Sequence, residues 1–283
     1  MSANDPKRTF AAQDCCPATR PLNPIPPVAN PCCNFDKRVD ICRRSIPTMA
    51  TSLCGASPMA GLSPLRGVQA CVFDAYGTLF DFAAAARKVL GDDTSFITLW
   101  RDKQLQYTWL RAAQERHADF LQVTGDALDF ALETIVGKSD LRDQLMSLFV
   151  TLDPFPEVPN VLRKLKMAGM RAAILSNGSP AMLDSAVKAA SLESLLDLVL
   201  SVEEVGVYKP HPKVYQLAVD RLAIPASAIC YQSSNAWDAY AASAFGMQVV
   251  WCNRYGQRRE RLPGSPDREI ASLAQLPALV GAT

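Results

Sequence analysis

Apolar and polar positions alternate with two different periods from residue 67 onward. Short apolar runs, which predict buried strands, are separated by longer segments of helical period. The predicted strands are 68–73, 171–175, 198–200, 228–231 and 248–251. The predicted helices after the second strand begin near residues 180, 213 and 236. This strand–helix alternation indicates an α/β fold with a parallel five-stranded sheet and helices on both faces.

One long segment breaks the alternation. Residues 82–150 contain no run resembling a strand, and helical periods cover 96–115, 126–136 and 141–150. A further helix, 159–167, precedes the second strand and stops at Gly169. We therefore predict a core domain from residues 67–82 and 153–283, with a separate helical domain, 83–152, inserted after the first strand.

The first 66 residues have a different composition. They hold ten of the twenty prolines and six of the nine cysteines, with no sustained period. We predict a disordered leader. Arg43-Arg44 is a weak match to an export signal because Pro47 and Gly55 interrupt the apolar stretch that should follow. Initiation at Met49 or Met59 remains an open alternative.

Charge and histidine content narrow the function classes. The formal net charge is +1, which gives no overall field to attract nucleic acid or an anionic membrane. No apolar run approaches the roughly 20 residues that span a bilayer. Only two histidines occur, which leaves little material for a multi-histidine metal site. Few cysteines lie in the ordered region, which favours a reducing, cytoplasmic location.

Polar and charged residues follow the predicted strands where each one ends. The segments are 74–78, 176–179, 208–210 and 233–238. Ligands of open parallel sheets bind outside these carboxyl ends, so Asp74, Lys209 and Asp238 should meet at one crevice. A carboxylate beside a lysine stays ionised and can displace a leaving group to form an ester, which water then cleaves. We expect Gly77 to let the backbone approach the substrate closely.

Four motifs follow one another along the chain: VFDAYGTLFD at 72–81, LSNGSP at 175–180, Lys209-Pro210 and SSNAWD at 233–238. Together they closely resemble the motifs of the L-2-haloacid dehalogenases, which belong to the haloacid dehalogenase superfamily. The likeness covers about residues 67–276. It implies a Rossmann-like core with a helical cap domain. It also implies hydrolysis of a small 2-haloalkanoic acid, from the L-2-haloacid to the D-2-hydroxyacid and halide, without metal or organic cofactor.

The resemblance also implies residue roles. Asp74 matches the nucleophile that attacks C2 with inversion, and Arg101 matches the arginine that receives the halide. Lys209 would balance the nucleophile, and Asp238 would help to position the hydrolytic water. The remaining catalytic polar residues implied are Thr78, Ser176, Tyr215, Ser233 and Asn235.

Further positions match the binding pocket. The substrate- and halide-binding set implied by the resemblance also includes Arg101 and Ser176, and its other members are Tyr76, Leu105, Phe120, Asn177 and Trp237. Three positions depart from the family pattern. Ala241 stands where a glycine is expected, and Tyr231-Gln232 is unusually polar for the end of a buried strand. These departures put the rate and the substrate range in doubt more than the reaction class.

One position separates this subfamily from the magnesium phosphatases of the same superfamily. Those enzymes carry a second aspartate two residues after the nucleophile, where this chain has Tyr76. They also place acidic metal ligands where Ser233 and Ser234 stand. We therefore expect no metal. A magnesium-dependent phosphatase and a non-catalytic homologue remain the alternatives. Homodimers are common in the family, but no sequence feature here establishes one.

Overall fold

The structure is a computed structural model that describes residues 63–91, 93–135 and 139–282. The disorder predicted for residues 1–66 therefore lies, apart from its last four residues, outside the described residues. Among the described helices, none has both the length and the apolar character needed to cross a membrane.

A single parallel sheet forms the core. Its strands lie in the order β3-β2-β1-β4-β5-β6. Their bounds are β1 Ala70–Phe73, β2 Arg171–Ser176, β3 Leu198–Ser201, β4 Ile229–Ser233, β5 Gln248–Cys252 and β6 Arg268–Ile270. The prediction of five strands was wrong by one, because β6 has only three residues, two of them charged. A strand this short at the sheet edge has no readable period.

Helices connect the strands. Their bounds are α1 Phe82–Leu90, α2 Thr94–Ala113, α3 Phe120–Thr134, α4 Arg142–Ser147, α5 Val158–Met167, α6 Pro180–Ala189, α7 Pro212–Leu222, α8 Ala236–Phe245 and α9 Leu276–Leu279. The sequence pattern missed α1, a helix of only nine residues, although Phe82, Ala86 and Leu90 are buried on one face of it at a spacing of four. It also placed α3 six residues too late, because the carboxylate of Asp119 caps the helix by accepting the N–H of Leu121 at 2.7 Å.

The helices α1 to α4 follow one another between β1 and β2, and all of them except α1 were predicted. The pair α2 and α3 is joined by a buried hydrogen bond from the Trp100 indole to the carbonyl of Thr124, at 3.0 Å. A helical insertion after the first strand is therefore confirmed, whereas its exact limits as a domain stay a prediction.

The register of the sheet determines where the polar residues meet. Strand β1 is central and fully buried, and its last residue, Phe73, pairs with Ile174 of β2 and Gln232 of β4. Since all three strands are parallel, their carboxyl ends lie at one edge. Asp74 and the ends of β2 and β4 therefore share that edge.

Candidate active site

Asp74 lies at the floor of the site with only 7% of its surface exposed. Its Oδ1 accepts a hydrogen bond from Lys209 Nζ at 3.0 Å. Its Oδ2 accepts from Asn235 Nδ2 at 2.9 Å and from Thr78 Oγ1 at 3.1 Å, with Ser233 Oγ at 3.5 Å. Donors on both oxygens fix the orientation of the carboxylate.

The turn after β1 explains how Thr78 reaches Asp74. Gly77 has a φ of +85°, a conformation that residues with a Cβ rarely adopt. Nothing lies within 4 Å of the place where a Cβ would stand, so no neighbouring protein atom requires a glycine there. The close approach of the backbone to a substrate at Gly77 stays a prediction, and its positive φ is what the turn requires.

Lys209 is a buried cation between two carboxylates. Its Nζ donates to Asp74 Oδ1 and Asp238 Oδ2, each at 3.0 Å, and to the hydroxyl of Tyr231 at 2.6 Å. Burial lowers the pKa of Lys209, but the charges of Asp238 and Asp74 raise it more, so the net direction is upward. The side chain is therefore an ammonium ion at neutral pH, with all three N–H groups in hydrogen bonds.

Asp238, in the first turn of α8, is fully buried. Its Oδ1 accepts from the Tyr215 hydroxyl at 2.8 Å, and its Oδ2 accepts from the Tyr231 hydroxyl at 2.8 Å as well as from Lys209. Burial raises the pKa of Asp238, and Lys209 opposes this shift. With both oxygens engaged, Asp238 can influence the reaction through Lys209 rather than by direct contact with a ligand.

A small cavity opens above Asp74. Its free space is about 20 Å³. The residues that line it are Asp74, Tyr76, Arg101, Gln104, Leu105, Phe120, Ser176, Asn177, Lys209, Asn235 and Trp237. Every residue predicted for substrate or halide binding lies in this wall. Four of the predicted catalytic residues lie outside the wall: Thr78 and Ser233 hold Asp74, Asp238 holds Lys209, and Tyr215 holds Asp238.

The opposite wall comes from the helical insertion. Arg101 on α2 donates a hydrogen bond to Gln104 Oε1, and its guanidinium lies 5.4 Å from the ring centre of Phe82. Gln104 Nε2 in turn donates to Thr124 Oγ1 on α3 at 2.6 Å. Burial lowers the pKa of Arg101, and the charge of Asp74 opposes that shift. A guanidinium across a small cavity from a carboxylate is suited to receive a departing anion.

Tyr76 forms the aromatic part of the wall. Its ring stacks on Phe120 with centroids 6.2 Å apart and meets Phe149 edge-on at 5.4 Å. Its buried hydroxyl has no hydrogen-bond partner among the described residues. Burial, and next the charge of Asp74, raise the pKa of Tyr76, so the phenol stays neutral. A neutral O–H of this kind can donate a hydrogen bond to a bound ligand.

The β2 end supplies two further polar groups. Asn177 Oδ1 accepts the backbone N–H of Lys209 at 3.0 Å, which ties the β2 loop to the lysine. Ser176 Oγ accepts the N–H of Gly178 at 3.1 Å, which leaves its hydroxyl hydrogen free to point into the cavity.

Sequence reasoning missed two residues. Gln104 stands one helical turn after Arg101 and so shares its face of α2, a spacing that would have identified it. Tyr231 is unusually polar for a buried strand, but nothing in the sequence predicted that its hydroxyl joins Lys209 to Asp238.

The donor set does not fit a magnesium ion. Asp74 and Asp238 share Lys209, and the end of β4 supplies the neutral hydroxyl residues Ser233 and Ser234. Mg²⁺ prefers charged oxygen ligands in an octahedral arrangement. Within residues 63–91, 93–135 and 139–282, no three His, Cys, Asp or Glu side chains come together as a metal site would need.

Comparison with known proteins agrees with this geometry. The family described as haloacid dehalogenase-like hydrolase matches residues 68–246. A protein named (S)-2-haloacid dehalogenase 1, from Pseudomonas sp. (strain CBS-3), is 42% identical over 219 residues, covering 75% of this chain and 96% of the relative. A solved dehalogenase structure is 42% identical with a TM-score of 0.71, over 75% of this chain and 96% of that one.

A second solved structure carries a trapped ligand. It is an L-2-haloacid dehalogenase from Xanthobacter autotrophicus with chloropropionic acid covalently bound, 34% identical with a TM-score of 0.69, over 76% of this chain and 98% of that one. The matches in sequence and in fold therefore agree: the chain belongs to the haloacid dehalogenase-like hydrolases, among the L-2-haloacid dehalogenases.

Proposed function

We propose that this protein hydrolyses short L-2-haloacids to D-2-hydroxyacids and halide through an ester on Asp74. The observation that carries the proposal is the buried Asp74 carboxylate, held by Lys209 on one oxygen and by Asn235 and Thr78 on the other, facing Arg101 across a small cavity. A carboxylate so oriented and desolvated is a nucleophile prepared for an in-line displacement.

In the first step, an oxygen of Asp74 attacks C2 of the haloacid from the side opposite the halogen. The C2–O bond forms while the C2–halogen bond breaks, and the halide leaves with the electron pair, so the configuration at C2 inverts. Arg101 receives the halide, with Asn177 beside it. A halide needs no proton to leave, which is consistent with Tyr76 at the position of a phosphatase's general acid.

In the second step, water attacks the carbonyl carbon of the Asp74 ester. The bond between that carbon and the ester oxygen breaks, the 2-hydroxyacid takes one proton from water, and the second proton is released. Lys209 stabilises the negative charge that develops on the Asp74 oxygens. Asp238 acts through Lys209, because both of its own oxygens are already engaged.

The names of the relatives support the substrate class. The proteins named for (S)-2-haloacids, and the structure with covalently bound chloropropionic acid, match this chain over most of its length. The free space above Asp74, about 20 Å³, is small, which supports a preference for short 2-haloacids over longer-chain ones. We expect kcat/KM to fall from 2-chloropropionate to 2-chlorohexanoate, and equal values would contradict the size limit.

Halide release with and without EDTA tests the reaction class. We expect purified protein to release chloride from L-2-chloropropionate at the same rate in excess EDTA, and to leave the D-enantiomer intact. Hydrolysis of p-nitrophenyl phosphate that requires Mg²⁺ would instead support the phosphatase alternative. A folded protein inactive in both assays would support the non-catalytic alternative.

Oxygen-18 labelling tests the ester. In a single turnover with excess enzyme in H₂¹⁸O, the product hydroxyl should carry ¹⁶O from Asp74, and the label should appear in the peptide that contains Asp74. A product labelled in the first turnover would mean that water attacks C2 directly and would overturn the ester mechanism.

The helical insertion, residues 83–152, is proposed to act as a cap domain on a core of residues 67–82 and 153–283. Its part in the site is the wall formed by Arg101, Gln104, Leu105 and Phe120. On this proposal, the insertion determines which leaving group and which chain length are accepted.

We further propose a homodimer working in the cytoplasm. Large apolar side chains on one helix pair support the dimer, since Trp109 and Leu110 on α2 and Leu121 and Phe130 on α3 are exposed. Light scattering should give twice the mass of the chain, and L110E should give the monomer. The free, buried thiols of Cys71, Cys230 and Cys252 support a reducing compartment, so the activity should fractionate with cytosol.

A further inference from the structure

Strand β4 carries polar side chains in buried positions. All five residues, Ile229–Ser233, are buried, and three of them, Tyr231, Gln232 and Ser233, are polar. Buried polar groups cost free energy unless they find hydrogen-bond partners. The Gln232 amide donates locally to the carbonyl of Cys230 at 2.8 Å. The hydroxyl of Tyr231 extends instead to the charged groups under the active site.

The Tyr231 hydroxyl bridges the two charges behind Asp74. Its oxygen accepts from Lys209 Nζ at 2.6 Å, and its hydrogen is donated to Asp238 Oδ2 at 2.8 Å. The ring meets Tyr215 edge-on, with centroids 5.9 Å apart. Tyr231 is outside the set of residues that line the cavity, so it acts on the reaction without touching a ligand.

We propose that Tyr231 is a positioning residue for the hydrolysis described above: its hydroxyl fixes Lys209 and Asp238 relative to each other and keeps the ammonium aimed at Asp74. This role rests on the proposed function. A lysine ammonium at the end of a flexible chain has three donors, and the three acceptors Asp74, Asp238 and Tyr231 fix all of them. Without the hydroxyl, one donor of Lys209 loses its partner in a place that water does not reach.

The same hydroxyl affects the charge of Asp238. The titratable groups that face Asp238 are Lys209, Tyr215, Tyr231 and Asp74. A hydrogen bond donated by Tyr231 favours the ionised carboxylate and so lowers its pKa. Loss of that donor should therefore shift the protonation of Asp238 to higher pH, and the rate should begin to fall at a higher pH on the acid side.

The test compares Y231F with Y240F in the halide-release assay. Each variant removes one hydroxyl from a buried ring, and Tyr240 packs edge-on against Trp251, 6.4 Å between centroids. In Y231F we expect kcat to fall about ten- to a hundredfold, the effect of losing hydrogen bonds to charged groups. We expect KM to change less than twofold, and the acid limb of the kcat–pH profile to move to higher pH. Y240F should keep the wild-type profile.

The outcomes separate this role from the proposed function. An active wild type with equal kcat and equal pH profiles in Y231F and Y240F would overturn the role of Tyr231 and leave the dehalogenase reaction intact. A lowered melting temperature in Y231F, with kcat unchanged well below that temperature, would mean a structural role only and would equally overturn the positioning role. A wild type that releases no halide would overturn the proposed function itself.

If Y231F is too unstable to assay, 3,5-difluorotyrosine at position 231 keeps the shape and the hydroxyl but weakens the oxygen as an acceptor. A kcat reduced in the same direction supports the role, and an unchanged kcat overturns it.

Discussion

The two sides of the active site are built differently. On the sheet side, the charged and hydroxyl groups are almost fully buried, and each has its hydrogen-bond partners within the protein. These groups belong to Asp74, Lys209, Asp238 and Tyr231. On the opposite side, the helical insertion contributes Arg101, Gln104, Leu105 and Phe120, and the ring of Tyr76, from the loop after β1, stacks on Phe120. The buried hydroxyl of Tyr76 is left without a partner among the described residues.

Because of this difference, the two sides have different roles in the reaction. The sheet side is complete before any ligand arrives, which is the condition for stabilising a transition state without reorganisation. The opposite side leaves the buried hydroxyl of Tyr76 for a ligand to satisfy, so it discriminates among ligands. Changes on the sheet side should therefore affect mainly kcat, and changes on the opposite side should depend on which substrate is offered.

The largest expected effect is on the nucleophile. D74N keeps the shape of the side chain but removes the charge that attacks C2, so we expect activity to fall on the order of 10⁴-fold or more. D153N, at an exposed carboxylate paired with Lys88, is the control and should retain full activity. The two variants should first be shown to have the same melting temperature, and their rates of halide release are then compared. An active D74N would contradict the mechanism.

The second effect is on the cation. K209M leaves two buried carboxylates without their counter-ion, so we expect roughly 10³-fold lower kcat and about 3–5 kcal/mol lower free energy of unfolding. The control K188M breaks only an exposed pair with Asp184. Chemical denaturation measures the stability, and a K209M protein as stable as K188M would show that the buried pair adds nothing.

Lys209 also predicts a pH dependence of stability. Its pKa in the folded protein is raised above the ordinary value of 10.5. The stabilisation by Lys209 is therefore complete below pH 10.5 and is lost as the pH rises through the folded value. The difference in unfolding free energy between wild type and K209M should be constant near neutrality and should shrink above pH 10.5. A difference that grows there would mean that the pKa is lowered.

On the insertion side, R101K tests the leaving-group site. Lysine keeps the charge but loses the planar fork, so we expect kcat/KM to fall roughly ten- to a hundredfold. The loss should be larger for 2-chloropropionate than for 2-bromopropionate, because chloride is the poorer leaving group. R111K, on the same helix and paired with Asp126 at the surface, is the control. An equal fall in kcat/KM for both substrates would mean that Arg101 does not assist the departure of the halide.

The smallest expected effect concerns the aromatic wall. A Cβ at Gly178 would stand 2.8 Å from Cε2 of Tyr76 and 3.1 Å from Cδ2 of Leu183, so G178A must displace the Tyr76 ring. We expect kcat/KM to change about three- to tenfold, and to change differently for chloroacetate and 2-chloropropionate. G125A, in α3, is the control. The same change for both substrates would mean that Tyr76 does not determine the size limit.

Much of the site could be predicted because parallel strands bring their carboxyl ends to one edge. The residues after β1, β2 and β4 were expected to converge on that ground, and Asp74, Ser176 and Asn235 lie in one cavity wall. The family motifs added Arg101 and Phe120, which no sheet rule would have found, because they come from helices of the insertion.

Other features could not be predicted from local patterns. Helix α1 and strand β6 are short, and a cap by Asp119 determines where α3 begins. The contribution of Tyr231 depends on contacts with Lys209 and Asp238, 22 and 7 residues away in the chain. No local propensity contains that information.

The sequence by itself determined the order of the first five strands and of most helices, and the kinds of side chain at the strand ends, because periodicity and motif are local properties. Only the tertiary structure decided which of those side chains touch a ligand and which hold the others in place. Thr78, Tyr215 and Asp238 match catalytic positions in sequence, yet they stand outside the cavity wall. Thr78 holds Asp74, Asp238 holds Lys209, and Tyr215 holds Asp238. The physical reason is that hydrogen-bond partnership and burial depend on distances between segments far apart in the chain, and packing alone fixes those distances.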